Sequence, residues 1–306
     1  MIARIIRRLL AGVVTIACIY TVTFVMVVSL PGNPFEQGGR HLSVEVEQAL
    51  RARYHMDNNW LYFWEFLQGA LRLDFGPAFT YNDWTCNQIL ASALPVSLLL
   101  GLLAMLIAVM VGVPLGVLGA VKRGGWLDAA TSGFVLLGVS LPTFVTGSAL
   151  LTVFAVYLKI FPIGGWGTLA HLPLPAIALS IPFIAYIARL TRVGMLDVLG
   201  SDFVRTALAK GVHPRTVVWK HALKVAFLPV LSFLGPATAQ AMTGSFVVEK
   251  VFGVPGLGQH FVNAALNRDS GLVMSTVLVF STLLVAFNLV VDLLYAWIDP
   301  RVSESV

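Results

Sequence analysis

Of 306 residues, 58% are hydrophobic and 11% charged, where a soluble domain carries about 25% charged side chains. A mean hydropathy of +0.85 over this length excludes a soluble fold, because no globular core could hide so much apolar surface from water. The formal net charge of +5 comes without a basic face interleaved with stacking aromatics, which excludes nucleic acid as a partner.

Uncharged stretches cover residues 9–35, 84–121, 129–158, 160–188, 225–248 and 270–291. Each exceeds the ~20 residues that a helix needs to cross the hydrocarbon layer. Lipid offers backbone groups no partner, and the alternation expected of barrel strands is absent, so the spans are helices. The expected fold is an all-α polytopic membrane protein with six transmembrane helices, their cores near 9–30, 94–121, 129–158, 172–195, 225–248 and 273–297. Residues 1–306 then form a single transmembrane domain. It comprises a first helix over 1–30, an external segment over 31–92, and a five-helix core over 93–297 that carries a basic loop at 201–222.

The first span follows Arg4, Arg7 and Arg8 and ends in Leu30-Pro31-Gly32. It lacks a small-x-small cleavage pattern and is read as an uncleaved span. In the external segment, Ser43 is a candidate N-cap with Glu45 in the first turn that follows. Asn59 is a candidate cap for a second helix, whose Trp60, Phe63, Trp64, Leu67 and Leu71 fall on one face. That stripe is too short to cross a bilayer. It suits either the headgroup layer or the external mouth of the bundle, as a platform where Arg53, Asp57 and Arg72 supply salt-sensitive contacts.

Prolines punctuate the spans that follow: Pro95 and Pro114 in the second, Pro142 in the third, Pro173, Pro175 and Pro182 in the fourth, and Pro229 and Pro236 in the fifth. Each removes a backbone bond, which membrane helices tolerate where neighbours or cavity water satisfy the freed carbonyl. Pro114, Pro142, Pro182, Pro229 and Pro236 are therefore read as helix breaks lining a pathway. Gly112 and Gly116 bracket Pro114 as a GxxxG pair, suited to close helix contact or flexing.

Between the fourth and fifth spans, Asp202–Ser232 breaks the apolar pattern with Arg205, Lys210, His213, Arg215, Lys220, His221 and Lys224. Ser201 and Asp202 offer N-cap oxygens to a helix over 203–210. Gly211 suits a left-handed C-terminal residue, and Pro214 suits a first helical position. The result is a helix–turn–helix. An ordinary basic loop would explain the charge but not the small residues Thr206, Ala207 and Ala209 before the glycine. Counting Lys and Arg by side places thirteen of the twenty, this segment's included, with the N-terminus, so both termini and the hairpin are expected in the cytoplasm.

Reactive constellations are missing. No Lys follows a Gly, so there is no GxxxxGK[ST] phosphate loop. No His precedes a Glu, no Ser sits in GxSxG, and the six His lack metal-ligand spacing. Cys18 falls inside the first span and Cys86 outside the spans, so neither disulfide nor redox chemistry is expected. The expectation is a subunit without catalysis, metal or cofactor of its own. A gated channel, the alternative of another class, would show a narrow polar constriction and need no basic hairpin.

The hairpin's "RTALAKG", nine residues, then "HALK" resembles the EAA loop of bacterial ABC importer permeases. Arg205 stands where that pattern has Glu, Thr206 and Ala207 where it has two Ala, and Gly211 on its glycine, while His221, Leu223 and Lys224 occupy its I-x-L-P positions. The missing Glu and Pro depart from the general pattern; the variant resembles that of dipeptide and oligopeptide permeases. "LPGNPF", "DFGPAF", "LPVSLLLG", "GVPLGVLGA", "SLPTFV", "VFGVPGLGQHFVNAALNRD" and "DLLYAWIDPR" extend the resemblance along nearly the whole chain, to the first permease subunit of an oligopeptide importer.

The resemblance implies a type I ABC importer permease fold and a set of partners. These are a homologous second permease, two cytoplasmic ATPases that bind ATP and Mg, an extracytoplasmic peptide-binding protein, and a peptide substrate. It implies that Arg205, Thr206, Ala207, Ala209, Lys210, Gly211, His213, Pro214 and His221 couple to an ATPase in the bacterial inner membrane. Dipeptide, glutathione, antimicrobial-peptide and nickel importers share these motifs.

Overall fold

The computed structural model describes residues 2–29, 44–55, 57–81, 84–243 and 246–298. Among them every regular element is helical, apart from one isolated bridge between Pro77 and Thr85. The candidate cap Ser43, the "LPGNPF" motif and the final "DPR" lie outside the described residues.

Among the described residues, four helices are long and apolar enough to cross a membrane: α1 (Ile2–Ser29), α4 (Cys86–Val121), α7 (Pro173–Leu199) and α14 (Ser270–Ile298). The expected third and fifth spans are instead bent pairs. In the third, α5 (Trp126–Ser140) meets α6 (Thr143–Leu150, continued by a π-type turn at Leu151–Tyr157) at 107°. The cause is local. Leu141 (φ −83°, ψ 127°) and Pro142 (φ −59°, ψ 141°) are extended, since the proline ring disfavours helical backbone in the residue before it.

In the fifth, a helical run over Pro214–Ala226 meets α11 (Leu228–Thr243) at 56°. This run comprises α9 (Pro214–Thr216), a π-type turn (Val217–Ala222) and α10 (Leu223–Ala226). Pro229 falls in the first turn of α11. The other expected breaks are not breaks. Pro95 and Pro114 lie within an unbroken α4, and Pro182 and Pro236 lie inside α7 and α11.

The chain divides into two compact units, Met1–Ser97 with Pro255–Val285, and Leu98–Val254 with Ala286–Val306. In the first, Tyr20 and Phe24 of α1 pack with Tyr62 of α3 (Asn59–Leu71) and Met274 and Leu278 of α14. The cap of α3 is Asn58, one residue earlier than expected, whose Oδ1 accepts from Leu61 N at 3.2 Å. Its buried face is also turned from the expected stripe. Tyr62, Phe63, Phe66, Leu67 and Ala70 join the core, while Trp60, Trp64 and Leu71 point outward.

In the second unit, α7 is the hub against which α5, α6, α10, α11 and α12 (Phe246–Phe252) pack. Here the GxxxG pair brings two backbones together. A methyl on Gly116 would stand 2.5 Å from the Ala188 carbonyl oxygen, and one on Gly112 2.9 Å from that of Ile184. Of the two roles considered for this pair, the structure displays close contact.

Candidate functional site

The hairpin after α7 is built from helix-end chemistry. Helix α8 (Asp202–Ala209) begins at Ser201 without a side-chain cap. The Ser201 hydroxyl instead donates to the Val198 carbonyl behind it. Asp202 alone meets the positive helix end. At the other end Gly211 N donates to Leu208 O at 2.9 Å and Val212 N to Ala207 O at 3.2 Å. These two bonds make a Schellman turn, in which the residue at Gly211 must be left-handed; its φ is +80°. His213 then caps the next helix, its Nδ1 accepting from Arg215 N at 3.2 Å, with Pro214 at the first position.

Packing decides which of these residues can be touched. Helix α8 rests on the π-type turn at Val217–Ala222, and Val204 of the helix and Val217 and Ala222 of the turn are buried. Arg205, Thr206, Ala209, Lys210, Gly211, His213, Pro214 and His221 are exposed, and Ala207 is half-buried. One compact projection thus holds every residue expected in the hairpin. The Arg205–Asp202 pair within it is exposed and long, at 3.5 Å, so it contributes little. Phe203, Leu208 and Trp219 stand exposed among the basic groups. The sequence reading passed over these three. Their signal is the apolar side chain beside a basic one in a segment too polar to span.

A second feature lies two turns before the end of α7. Arg192 grips Asp128, in the first turn of α5, through a fork: Nε to Oδ1 at 2.6 Å and an Nη to Oδ2 at 2.9 Å. Gly124 N adds a 3.0 Å bond to the same carboxylate. By charge alone Arg192 reads as one of the basic residues on the cytoplasmic side. Its partner lies 64 residues away, and no spacing rule predicts such a pair.

The prolines do not converge on one site. Pro142 marks the α5–α6 bend and Pro229 the turn after the α10–α11 bend, while Pro114, Pro182 and Pro236 sit in continuous helices.

In the first unit, α13 (Leu257–Leu266) is clasped by polar contacts. Leu257 N donates to the Ser97 hydroxyl at 2.8 Å, and His260 Nδ1 lies 3.0 Å from the Tyr81 hydroxyl. Beyond its end, Asp269 accepts from Thr80 N at 2.7 Å and Leu272 N at 3.0 Å. Burial raises the Asp269 pKa, against the pull of these bonds, and burial lowers that of His260. Among the described residues no group of three or more His, Cys, Asp and Glu could hold a metal ion.

Comparison with known proteins places this geometry. Residues 112–304 match the family model "Binding-protein-dependent transport system inner membrane component". The oligopeptide transport system permease protein OppB of Salmonella typhimurium is 44% identical over 305 residues, 99% of each chain. The dipeptide transport system permease protein DppB of Bacillus subtilis is 40% identical over 299 residues, 97% of each chain. Among solved structures, a chain of the MetNI methionine ABC transporter, in an inward-facing crystal form, superposes with a TM-score of 0.59 at 20% identity. That match covers 69% of this chain and 97% of the other, and it establishes the fold as that of a type I ABC importer permease. The chain belongs to the family of binding-protein-dependent transport system inner membrane components, the non-catalytic permease subunits of ABC importers.

Proposed function

We propose that this chain moves oligopeptides inward across the cytoplasmic membrane, with both termini in the cytoplasm, by alternating access driven from outside the chain. It pairs with a homologous permease. Two cytoplasmic subunits bind ATP and Mg and hydrolyse the nucleotide, and an extracytoplasmic binding protein delivers the peptide. The observation that carries this reading is the hairpin, an exposed basic and apolar projection on a buried Val204–Val217–Ala222 footing. It fits a cleft in a partner that moves when ATP binds. Arg205, Thr206, Ala207, Ala209, Lys210, Gly211, His213, Pro214 and His221 make up the contact.

Motion at the hairpin reaches the membrane through two short routes. One is the Pro214–Ala226 run into the 56° bend that precedes α11. The other is α7, pinned to α5 by the Arg192–Asp128 fork. The bends at Pro142 and Pro229 supply the places where spans rearrange around a cavity, and Pro114, Pro182 and Pro236 weaken the helices between them. In the external segment, exposed Arg53, Asp57 and Arg72 offer the binding protein contacts that salt weakens.

The test is ATP-driven uptake of labelled peptides into proteoliposomes holding the complete transporter and its binding protein. Uptake of peptides longer than two residues is expected, and Gly211→Val abolishes it while leaving the subunit inserted. The 40% identity to a dipeptide permease favours a second reading, dipeptide import. Uptake confined to dipeptides would replace the first reading with the second, and normal uptake by Gly211→Val would remove the coupling role.

A further inference from the structure

Helix α3 carries two apolar faces, and only one is covered. Its inner face meets α1 through aromatic contacts: Phe63 lies 4.8 Å from Tyr20 and 5.1 Å from Phe24 between ring centroids, and the Tyr20 hydroxyl donates to the Phe63 carbonyl at 2.6 Å. The other face presents Trp60 at 71% exposure, Trp64 at 42% and Leu71 at 78%. Trp60 and Trp64 stand edge to face, 5.7 Å apart.

What covers that face follows from depth. The apolar span of α1 runs over Ile6–Ser29. Its ring contacts with α3 are made by Tyr20 and Phe24, within that span. Tyr20 and Phe24 precede Ser29 by nine and five residues, which at the rise of a helix is about 8–14 Å along the axis. The α1 side chains around and beyond that level, Val22, Val25 and Met26, are themselves exposed at 56–64%. In a bilayer they face acyl chains. Helix α3 therefore meets α1 inside the apolar slab, near the headgroup boundary, where an amphipathic helix typically sinks about 5–10 Å. At that depth an outward Trp pair has two possible covers, lipid or protein. Indole rings favour the headgroup boundary.

We propose that the Trp60–Trp64–Leu71 face of α3 is a lipid-binding surface, seated at the headgroup–acyl boundary of the leaflet that receives the C-terminal end of α1. It acts as a float that fixes how deep the first unit rides. The proposal uses only the membrane-spanning role of α1 and does not depend on the cargo or on the ATPases.

The experiment uses the complete transporter in nanodiscs made with phospholipids brominated at known acyl positions. Tryptophan emission is compared between the wild type and the Trp60→Phe/Trp64→Phe variant, and iodide serves as the aqueous quencher. Phenylalanine keeps the apolar contact, and ATP hydrolysis stimulated by the loaded binding protein confirms assembly in the same nanodiscs. The wild type should show bromolipid quenching, strongest for bromine close to the headgroup, and the double variant should lose that component. Quenching of the two rings by iodide would put them in water and overturn the proposal. Resistance of the two rings to both quenchers would put the face against protein and overturn it equally.

Discussion

At the residue scale, Gly211 and Gly116 show how the same residue type answers different demands. Nothing lies within 4 Å of where a Gly211 side chain would begin, so the constraint there is its φ of +80° alone. Gly211→Val should cost about 1–2 kcal/mol of local stability, while Gly211→Asn, which tolerates the left-handed region, should retain most uptake. Hydrogen exchange over the hairpin checks both. Gly116 is the opposite case, with ordinary backbone and no room. Gly116→Val must push α4 from α7 and should cost about 1–3 kcal/mol, read as a lowered unfolding temperature of the purified subunit. At Gly133, in mid-helix and with nothing crowding the site, Gly→Ala should instead raise that temperature slightly. Gly211 was legible in the sequence because a small-residue run, a glycine and an X-Pro step punctuate a turn locally. The Asp128–Arg192 fork was not, because each residue alone reads as a helix-end charge. Breaking it with Arg192→Ala should lower the unfolding temperature, and Arg192→Lys should recover only part, since an ammonium cannot make the two-point contact.

At the element scale, the six apolar stretches were readable from charge alone; 84–121 matches α4 closely, while 160–188 misses both ends of α7. Two things were not. Proline content did not predict bending: Pro142 turns the chain by 107°, yet α4 absorbs Pro95 and Pro114 without a break. The distinction is local: Leu141 before Pro142 is extended, whereas the residues before Pro95 and Pro114 remain helical. Nor did periodicity choose between the two apolar faces of α3; Tyr62 goes inward, where its hydroxyl meets Ser270 at 3.1 Å. Helix α13 yields a prediction in pH. Burial lowers the His260 pKa below its ordinary 6.5, so the unfolded segment binds a proton before the folded one does. Stability is complete above pH 6.5 and falls as pH drops from there through the lowered value. The raised pKa of Asp269 acts in the opposite sense, since protonating it relieves a buried charge. The protection factors of α13, corrected for the intrinsic pH dependence of exchange, should therefore fall below pH 6.5, and His260→Gln should remove that fall. An unchanged pH profile in the variant would assign the effect elsewhere.

At the scale of the whole molecule, the proposed coupling would deliver energy to this membrane body at one place, the hairpin. Exposed apolar side chains such as Leu10, Leu106 and Met110 make sense against lipid and partner spans, and the hairpin makes sense against an ATPase. The family was legible because many short motifs occur in order, while the partner contacts belong to surfaces that one sequence does not display. The claim that the hairpin transmits ATP-driven movement is tested most directly by cysteine cross-linking. Thr206→Cys, in a Cys18→Ser background with Cys86 left buried, would be paired with single cysteines in the ATPase cleft of the complete transporter. The account predicts cross-links to the ATPase in every nucleotide state, and cross-linking between the coupling loops of the two permeases that strengthens when ATP binds. A hairpin that forms no cross-link to the ATPase, with peptide uptake intact, would contradict it.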